Sequence, residues 1–399
     1  MDQNILITFN AGSSSLKIGV FRVEGKTAQS LGRLKLDFLT SPLLLDGSLG
    51  DRHFEEEISE SGEEFDREAQ EVLEHVESVV SGRVAIAAHR IVHGGGIFTG
   101  PARLNDRAIS QIEALVPLAP LHQPSALRVL KAVGRHRADI LQTASFDTAF
   151  HSTQEDAVTR MAIPRAMHDN GIRRYGFHGI SYKSVMEQLA GVDRTAAAGK
   201  IIAAHLGSGA SVCALSEGLS RDTSMGFSVL DGIPMSTRPG WLDPGVFLHM
   251  LRNEQADADR LEQFLYHECG LLGISGISGD MRKLVGDHSI QAQEAVDHFC
   301  LRVAGEISRQ AATIGGVDAL VFTAGIGENQ PEIRRRILSR LTWLGVELDE
   351  SANAQNELRI STPESPVAAL VIATDEEQTI ADEAVSLLVA KQSQGEDHE

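Results

Sequence analysis

Apolar residues in this chain come in short runs of strand length, and two of those runs open closely similar passages. Asn4–Phe9 is apolar, is followed by NAGSSS, and leads into LKIGVFRV. Lys200–Leu206 is apolar, is followed by GSGAS, and leads into VCALSEG. Each passage predicts a strand, a small-residue hairpin and a second strand. NAGSSSLKIGV begins at Asn10 and HLGSGASVCAL at His205, a separation close to half of the 399 residues. Self-similarity on that scale predicts two related domains facing each other.

Other apolar runs fill in the two halves. VAIAAHRIVHGGG reads as a buried strand that delivers Arg90 near its end, and Ile140–Phe146 as a strand that runs into Asp147 and then His151. Ala319–Phe322 predicts a strand, followed in TAGIGENQPEIRRR by a glycine loop and a helix start, with Asn329 as cap and Pro331 in the first turn. Ala368–Ala373 predicts a strand ending in TDEE. Helical spacing marks Glu68–Val80, ended by Gly82, then Ser125–Val133, Tyr182–Leu189, Gln291–Ile314 and Gln378–Ala390. The acid-rich stretch Asp46–Asp66 predicts solvated surface, with room for an edge strand. Leu115–Pro124 and Met161–Gly171 are broken by proline, and Gly273–Arg282 is a Gly/Ser loop. Arg221–Gly245 is too long and too rich in Gly, Pro, Ser and Asp for a mere turn, which marks it as functional. The tail SQGEDHE predicts disorder.

Composition narrows the function classes. At ~100–200 residues per domain, the length also predicts two domains. A hydrophobic fraction of 42% with mixed charge suits a soluble globular protein. No run of ~18 apolar residues occurs, and MDQNILITFN lacks a basic flank and a cleavage site, so neither a membrane span nor a signal peptide is expected. The net charge of −19 disfavours nucleic acid and anionic membrane as partners, so an anionic ligand must meet a local cluster of Arg and Lys. Cys213, Cys269 and Cys300 form no CxxC pair and suit reduced thiols in the cytoplasm. His89 and His93 are spaced i,i+4, but on a strand that spacing does not converge on zinc.

The remaining polar residues form a constellation suited to phosphoryl transfer: three glycine loops, Arg90 and Arg238, two histidines, and the strand-end acids Asp147 and Glu376. A transferring phosphoryl is polyanionic and needs Arg and a metal more than covalent chemistry. Mg²⁺ takes only one or two carboxylates beside phosphate oxygens and water. Gly176 and Gly179 permit close backbone approach in RRYGFHG, where Arg173, Arg174, Tyr175 and His178 stand. Two phosphate-type loops on two related domains predict a nucleotide held in the cleft between them.

Taken in order, NAGSSSLK, HRIVHGG, FDTAFH, RYGFHG, DTSMGF, FTAGIGEN and TDEE resemble the acetate kinase (acetokinase) family, of the superfamily of acetate and sugar kinases, heat-shock chaperones and actin, over essentially the whole chain. The resemblance implies an α/β, two-domain actin-like ATPase fold of ribonuclease H-like type, with mixed sheets and an interdomain active-site cleft. Residues 1–148 with 377–399 would form one domain and 149–376 the other, hinged near 148 and 376 and closing on ligand. It implies direct in-line transfer of the ATP γ-phosphoryl to acetate, with Mg²⁺ or Mn²⁺, in a cytoplasmic homodimer. Arg90 and Arg238 match the arginines that bind the carboxylate and stabilise the phosphoryl group. His178 matches a donor to that group and His122 a supporting histidine. Asp147 matches the acid at the metal and nucleophile end, while Asn10 and Glu376 match metal-site residues. His205–Ser211 (His205, Leu206, Gly207, Ser208 and Gly209 among them), Gly325, Ile326, Gly327, Glu328 and Asn329 match nucleotide-phosphate loops, as do Asn10, Ser15 and Lys17 in the first hairpin. Asp280, Met281 and Arg282 match residues beside the adenosine, and Val92, Leu121 and Phe177 match an acyl-methyl pocket that Val229 adjoins.

The chain departs from the family pattern at Ser208 for Asn, Asp375 for Asn, Val229 for Pro and Trp241 for Asp. The last two stand close in sequence to Arg238 and leave propionate or butyrate open as the acceptor. A kinase for a larger carboxylate, and an ATP-driven conformational switch on the same fold, are the other readings.

Overall fold

The structure is a computed structural model and describes residues 4–12, 15–38, 40, 42–58, 65–80 and 82–395. It divides into two units, Met1–Phe150 with Asp375–Glu399, and His151–Thr374.

The first unit holds strands β1 (Asn4–Ala11), β2 (Ser15–Glu24), β3 (Thr27–Asp37), β4 (Leu43–Leu49), β5 (Arg52–Ile58), β6 (Arg83–Ile91), β7 (Ala102–Arg103) and β8 (Leu141–Phe146). They form one sheet in the order β5-β4-β3-β2-β1-β6-β8-β7. The second unit holds β9 (Lys200–Leu206), β10 (Ala210–Ser216), β11 (Leu219–Thr223), β12 (Ala319–Thr323) and β13 (Ala368–Val371), ordered β11-β10-β9-β12-β13. Dropping the outer strands of the first sheet leaves β3-β2-β1-β6-β8, the same order. In both sheets the first three strands are antiparallel and the next two run parallel to the first. The repeat read from the two openings is a repeat of topology.

Two-sided burial explains the apolar runs. In the first unit, Val72, Val76, Val129 and Val133 of helices Asp66–Val80 and Gln123–His136 pack with Ile5, Ile7, Phe9 and Ile18 of the sheet. The closing helix Glu376–Gly395 packs on β1, β2, β3, β6 and β8. In the second unit, helix Ile290–Ile314 lies along β9, β10 and β11, and all five residues of β12 are buried. Parallel strands covered on both faces need such unbroken apolar sequence.

Several elements differ from the pattern-based expectation. Much of the acid-rich stretch is an antiparallel hairpin, β4 and β5, because Leu43, Leu45, Leu49 and Ile58 face the core while Asp46 and Glu55, Glu56 and Glu57 stay exposed. The helix Asp106–Glu113, capped by Asn105, and the two-residue β7 went unread. The tail forecast as disordered is helical through Gly395, and residues 396–399 lie outside the described residues. TAGIGEN is a six-residue helix, Ala324–Asn329, that starts directly after β12. Asn329 does not cap the following helix; its Nδ2 donates back to the Gly325 carbonyl at 3.1 Å, and Gln330 occupies the cap position.

Three histidines are structural. The His89 ring stacks on Phe9 with centroids 5.3 Å apart, and its Nε2 lies 2.8 Å from Gln142 Oε1. His93 Nδ1 accepts from the Gly95 N–H at 2.9 Å. His151 lies between Ser220 Oγ and the Phe177 carbonyl, 2.9 Å from each. Burial pushes each of the three down to about 4. An unfolded histidine takes up its proton near pH 6.5, so stability is fully present above 6.5 and is lost as pH falls toward 4. Between pH 6.5 and 5 we expect each buried ring to cost roughly 2 kcal/mol. A thermal unfolding midpoint that falls steeply across that window, with a shallower fall in His89→Gln, is the expected result; a flat midpoint contradicts it.

Candidate active site

Parallel strands β1, β6 and β8 end side by side, and Asn10, Arg90 and Asp147 stand at their carboxyl ends. Arg90 is the centre of this group. Its Nε lies 3.2 and 3.1 Å from the two Asp147 oxygens, and its Nη2 donates to Asp147 Oδ2 at 2.6 Å. Its Nη1 donates to Asn10 Oδ1 at 3.0 Å. Asn10 Nδ2 in turn donates to Glu376 Oε2 at 2.8 Å and Glu377 Oε1 at 3.0 Å. Both glutamates open the closing helix. Burial works against the Arg90 charge, but Asp147, then Glu376 and Glu377, outweigh it and raise the guanidinium above its ordinary value. One cation thus faces three carboxylates, a surplus of negative charge that suits a divalent cation.

The carboxylate oxygens here are hard donors, the kind Mg²⁺ and Mn²⁺ prefer. Among the described residues no cluster of three or more His, Cys, Asp or Glu could hold a metal. Glu376 and its neighbour Glu377 offer such oxygens, while Asn10 turns its amide nitrogen to both and its oxygen to Arg90.

Beside this group, the exposed Lys17 pairs across the ladder with Asn10, and Ser15 closes the hairpin by accepting from the Gly12 N–H at 2.9 Å. Ser13 and Ser14 of that small-residue hairpin lie outside the described residues. Val92 is buried just after β6, while Leu121 is half-exposed. His122 precedes the helix Gln123–His136, and its N–H donates to the Ala119 carbonyl at 3.1 Å. The next residue, Gln123, went unread. Wholly buried, it clamps His93, donating to the carbonyl at 2.9 Å and accepting from the N–H at 3.2 Å.

In the second unit the organising residue is His178. It holds φ +58° immediately before the helix Gly179–Val192. Its ring stacks on His205, centroids 4.1 Å apart and planes 15° apart, and its Nδ1 lies 2.8 Å from Ser211 Oγ. The approach to it is anchored by His151, which meets the Phe177 carbonyl. Gly176 sits at φ +79°, and a Cβ there would lie 2.6 Å from the His151 ring, so only glycine fits.

Arg238 completes this group. A Cβ on Gly209 would stand 2.7 Å from Arg238 Nη2 and 3.4 Å from His178 Nε2, so both side chains reach over the same small residue. Arg238 Nη1 donates to the Val229 carbonyl at 2.9 Å, and Val229 itself is buried. Among the described residues Arg238 has no carboxylate partner, and burial pulls it down to about 10. A buried guanidinium without an anion is costly unless a ligand supplies one.

A cavity of about 550 Å³ lies in the same unit, lined by Gly207, Ser208, Asp280, Met281, Arg282, Gly325, Ile326 and Asn329, with Ser236, Gly279 and Gln330. The last three went unread. Ser236 donates its N–H to the Ser208 carbonyl at 3.1 Å, which ties the Arg221–Gly245 segment to the loop. Asp280 caps the helix Met281–Gly286 and takes both Nε and Nη2 of Arg282, a hydrogen-bonded pairing that lowers its proton affinity. Leu206 is buried at the end of β9. Gly327 is buried, and Glu328 turns back to accept from the Ala324 N–H at 2.8 Å, so both serve the segment's own architecture. Beneath it, the wholly buried Arg334 donates to the Gly327 and Glu328 carbonyls at 2.7 and 2.9 Å.

The chain matches the model of the Acetokinase family over residues 5–382. It is 40% identical over 395 residues to an acetate kinase of Methylocella silvestris, covering 96% of this chain and 98% of that one. Among solved structures it is similar to a propionate kinase of Francisella tularensis, with a TM-score of 0.87 and 33% identity over 95% of this chain and 98% of that one. It is likewise similar to the acetate kinase of Porphyromonas gingivalis, with a TM-score of 0.86 and 30% identity over 96% of this chain and 100% of that one. Taken with the repeated sheet and the arginine and histidine groups at its strand ends, this near-full-length agreement means that the chain belongs to the acetokinase family.

Proposed function

We propose that the protein transfers the γ-phosphoryl group of ATP reversibly to acetate, giving acetyl phosphate and ADP. Arg238 is the observation that carries this reading. Its buried, uncompensated charge beside His178 suits a small polyanionic group and nothing apolar. The cavity lined by Gly207, Ser208, Asp280 and Gly325 suits the nucleotide, by size and by its small residues.

One carboxylate oxygen of acetate attacks the γ-phosphorus as the bond to the β,γ-bridging oxygen breaks, and ADP leaves with that electron pair. Acetate is already ionised at neutral pH, so no general base is required. Asp147, with both oxygens on Arg90, holds that guanidinium in place for the carboxylate. Arg238 and His178 neutralise and donate to the phosphoryl oxygens as charge spreads over them. A magnesium ion held at Glu376 would further offset the phosphate charge. Val92 and Leu121 of the first unit are apolar, as are Phe177 and Val229 of the second, and their part with the methyl group rests on the family resemblance. A homodimer and a cytoplasmic location go with the same reading and rest on family membership alone.

The acceptor is tested by trapping acyl phosphate as hydroxamate, with ATP, Mg²⁺ and a series from formate to butyrate. A maximum at acetate is the expected result. A maximum at propionate, the acid for which the Francisella tularensis kinase is named, moves the substrate and keeps the chemistry. No product with any acid, alongside ATP binding, leaves a nucleotide-driven switch. Arg90→Ala and Arg238→Ala are each expected to lower kcat/KM by ~10²–10⁴; wild-type turnover in either sinks the assignment. Gly209→Ala is expected to keep the fold and cut kcat by ~10–100-fold, because its Cβ displaces Arg238. Unchanged kcat in that variant would mean that the Arg238 position is unimportant.

A further inference from the structure

His178 can donate to a phosphoryl oxygen only from a nitrogen that carries a proton. A neutral imidazole carries one, and the partner of the other nitrogen decides which. Two groups behind the ring bear on this. His178 Nδ1 lies 2.8 Å from Ser211 Oγ, and Ser211 Oγ lies 2.5 Å from the Tyr182 hydroxyl. Tyr182 and Ser211 are both wholly buried.

Donor arithmetic sets the direction. The buried Tyr182 phenol must give its proton to an acceptor, and among the described residues the hydrogen-bond partner of that hydroxyl is Ser211 Oγ. Burial strongly disfavours the phenolate, so the phenol keeps that proton. Ser211, accepting from Tyr182, directs its own proton to His178 Nδ1. The opposite sense would strand the phenol proton in a dry site, and a buried donor left without an acceptor keeps its full desolvation penalty.

We propose that Tyr182 and Ser211 form a positioning relay, from the Tyr182 hydroxyl through the Ser211 hydroxyl to His178 Nδ1, that holds the catalytic imidazole as the Nε2–H tautomer. Neither residue touches a substrate. Their part is to point the proton of His178 toward the side where Arg238 and Gly209 stand. Ser211, which the sequence resemblance groups with the nucleotide loop, belongs to this relay instead. Its hydroxyl faces the buried Tyr182, and it is absent from the lining of the 550 Å³ cavity.

The inference rests on the phosphoryl-transfer reading for its catalytic meaning, but its central test is independent of activity. Nitrogen NMR of protein labelled with ¹⁵N-histidine, with His178 assigned by difference from His178→Gln, reads the tautomer directly. The wild type is expected to show protonated Nε2 and unprotonated Nδ1. Tyr182→Phe keeps the ring and removes the proton source, so a mixture of both tautomers is expected. With it should come a kcat lower by ~10–100-fold, the scale seen when a supporting hydrogen bond is removed, and KM values within about twofold. Ser211→Ala should reproduce both changes and serves if Tyr182→Phe fails to fold. An Nδ1–H wild type, or an unchanged tautomer and kcat in a folded variant, overturns the relay. A wild type with the expected tautomer that forms no acyl phosphate refutes the catalytic reading and leaves the relay standing as structure.

Discussion

Buried positive charge is the constraint on which the candidate site residues of each unit depend. A guanidinium removed from water must meet an anion or a dense set of acceptors. Three arginines of this chain meet that demand in three ways. Arg90 is held by Asp147 and, through Asn10, sits among Glu376 and Glu377. Arg334 spends its donors on the carbonyls of Gly327, Glu328 and Asn353 and on the side chains of Asn353 and Asn356. Arg238 has one carbonyl, that of Val229. The first arrangement keeps a cation oriented, the second builds a rigid floor under a loop, and the third leaves charge for a ligand.

The repeated sheet makes these arrangements possible. Strands β1, β6 and β8 carry Asn10, Arg90 and Asp147 to one sheet end, and β9 and β12 carry His205 and the Ala324–Asn329 segment to the matching end of the second sheet. Carboxyl ends of parallel strands are natural ligand positions because their loops are free of ladder bonding. The strands themselves are spent on core packing. Substitutions in the loops can therefore alter the acceptor or nucleotide without disturbing the framework, which gives the departures at Ser208, Val229 and Trp241 room to matter.

Much of this was legible beforehand, for identifiable reasons. The repeat showed because each half opens on an apolar strand, a run of Gly and Ser, and a second strand, and a buried strand tolerates few alternatives. Arg90 and Asp147 showed because charges at the end of an apolar run are conspicuous. The hairpin β4–β5 was obscured because its outward acids outnumber the leucines facing the core. Gln123, Ser236 and Gln330 were missed because neutral polar residues carry no signal until their partners are known.

By itself, then, the sequence determined the strand runs, the paired openings, the family and the identity of the charged residues at the strand ends, since these depend on local pattern and residue chemistry. The tertiary structure decided which of those charges are satisfied. Nothing in the order of residues says that Arg90 is enclosed by carboxylates while Arg238 meets none among the described residues, or that Ser211 faces Tyr182 rather than the nucleotide cavity. Those outcomes hang on contacts between segments far apart in the chain, and in a low-dielectric interior a shift of one hydrogen-bond length separates a satisfied group from a site that demands a ligand.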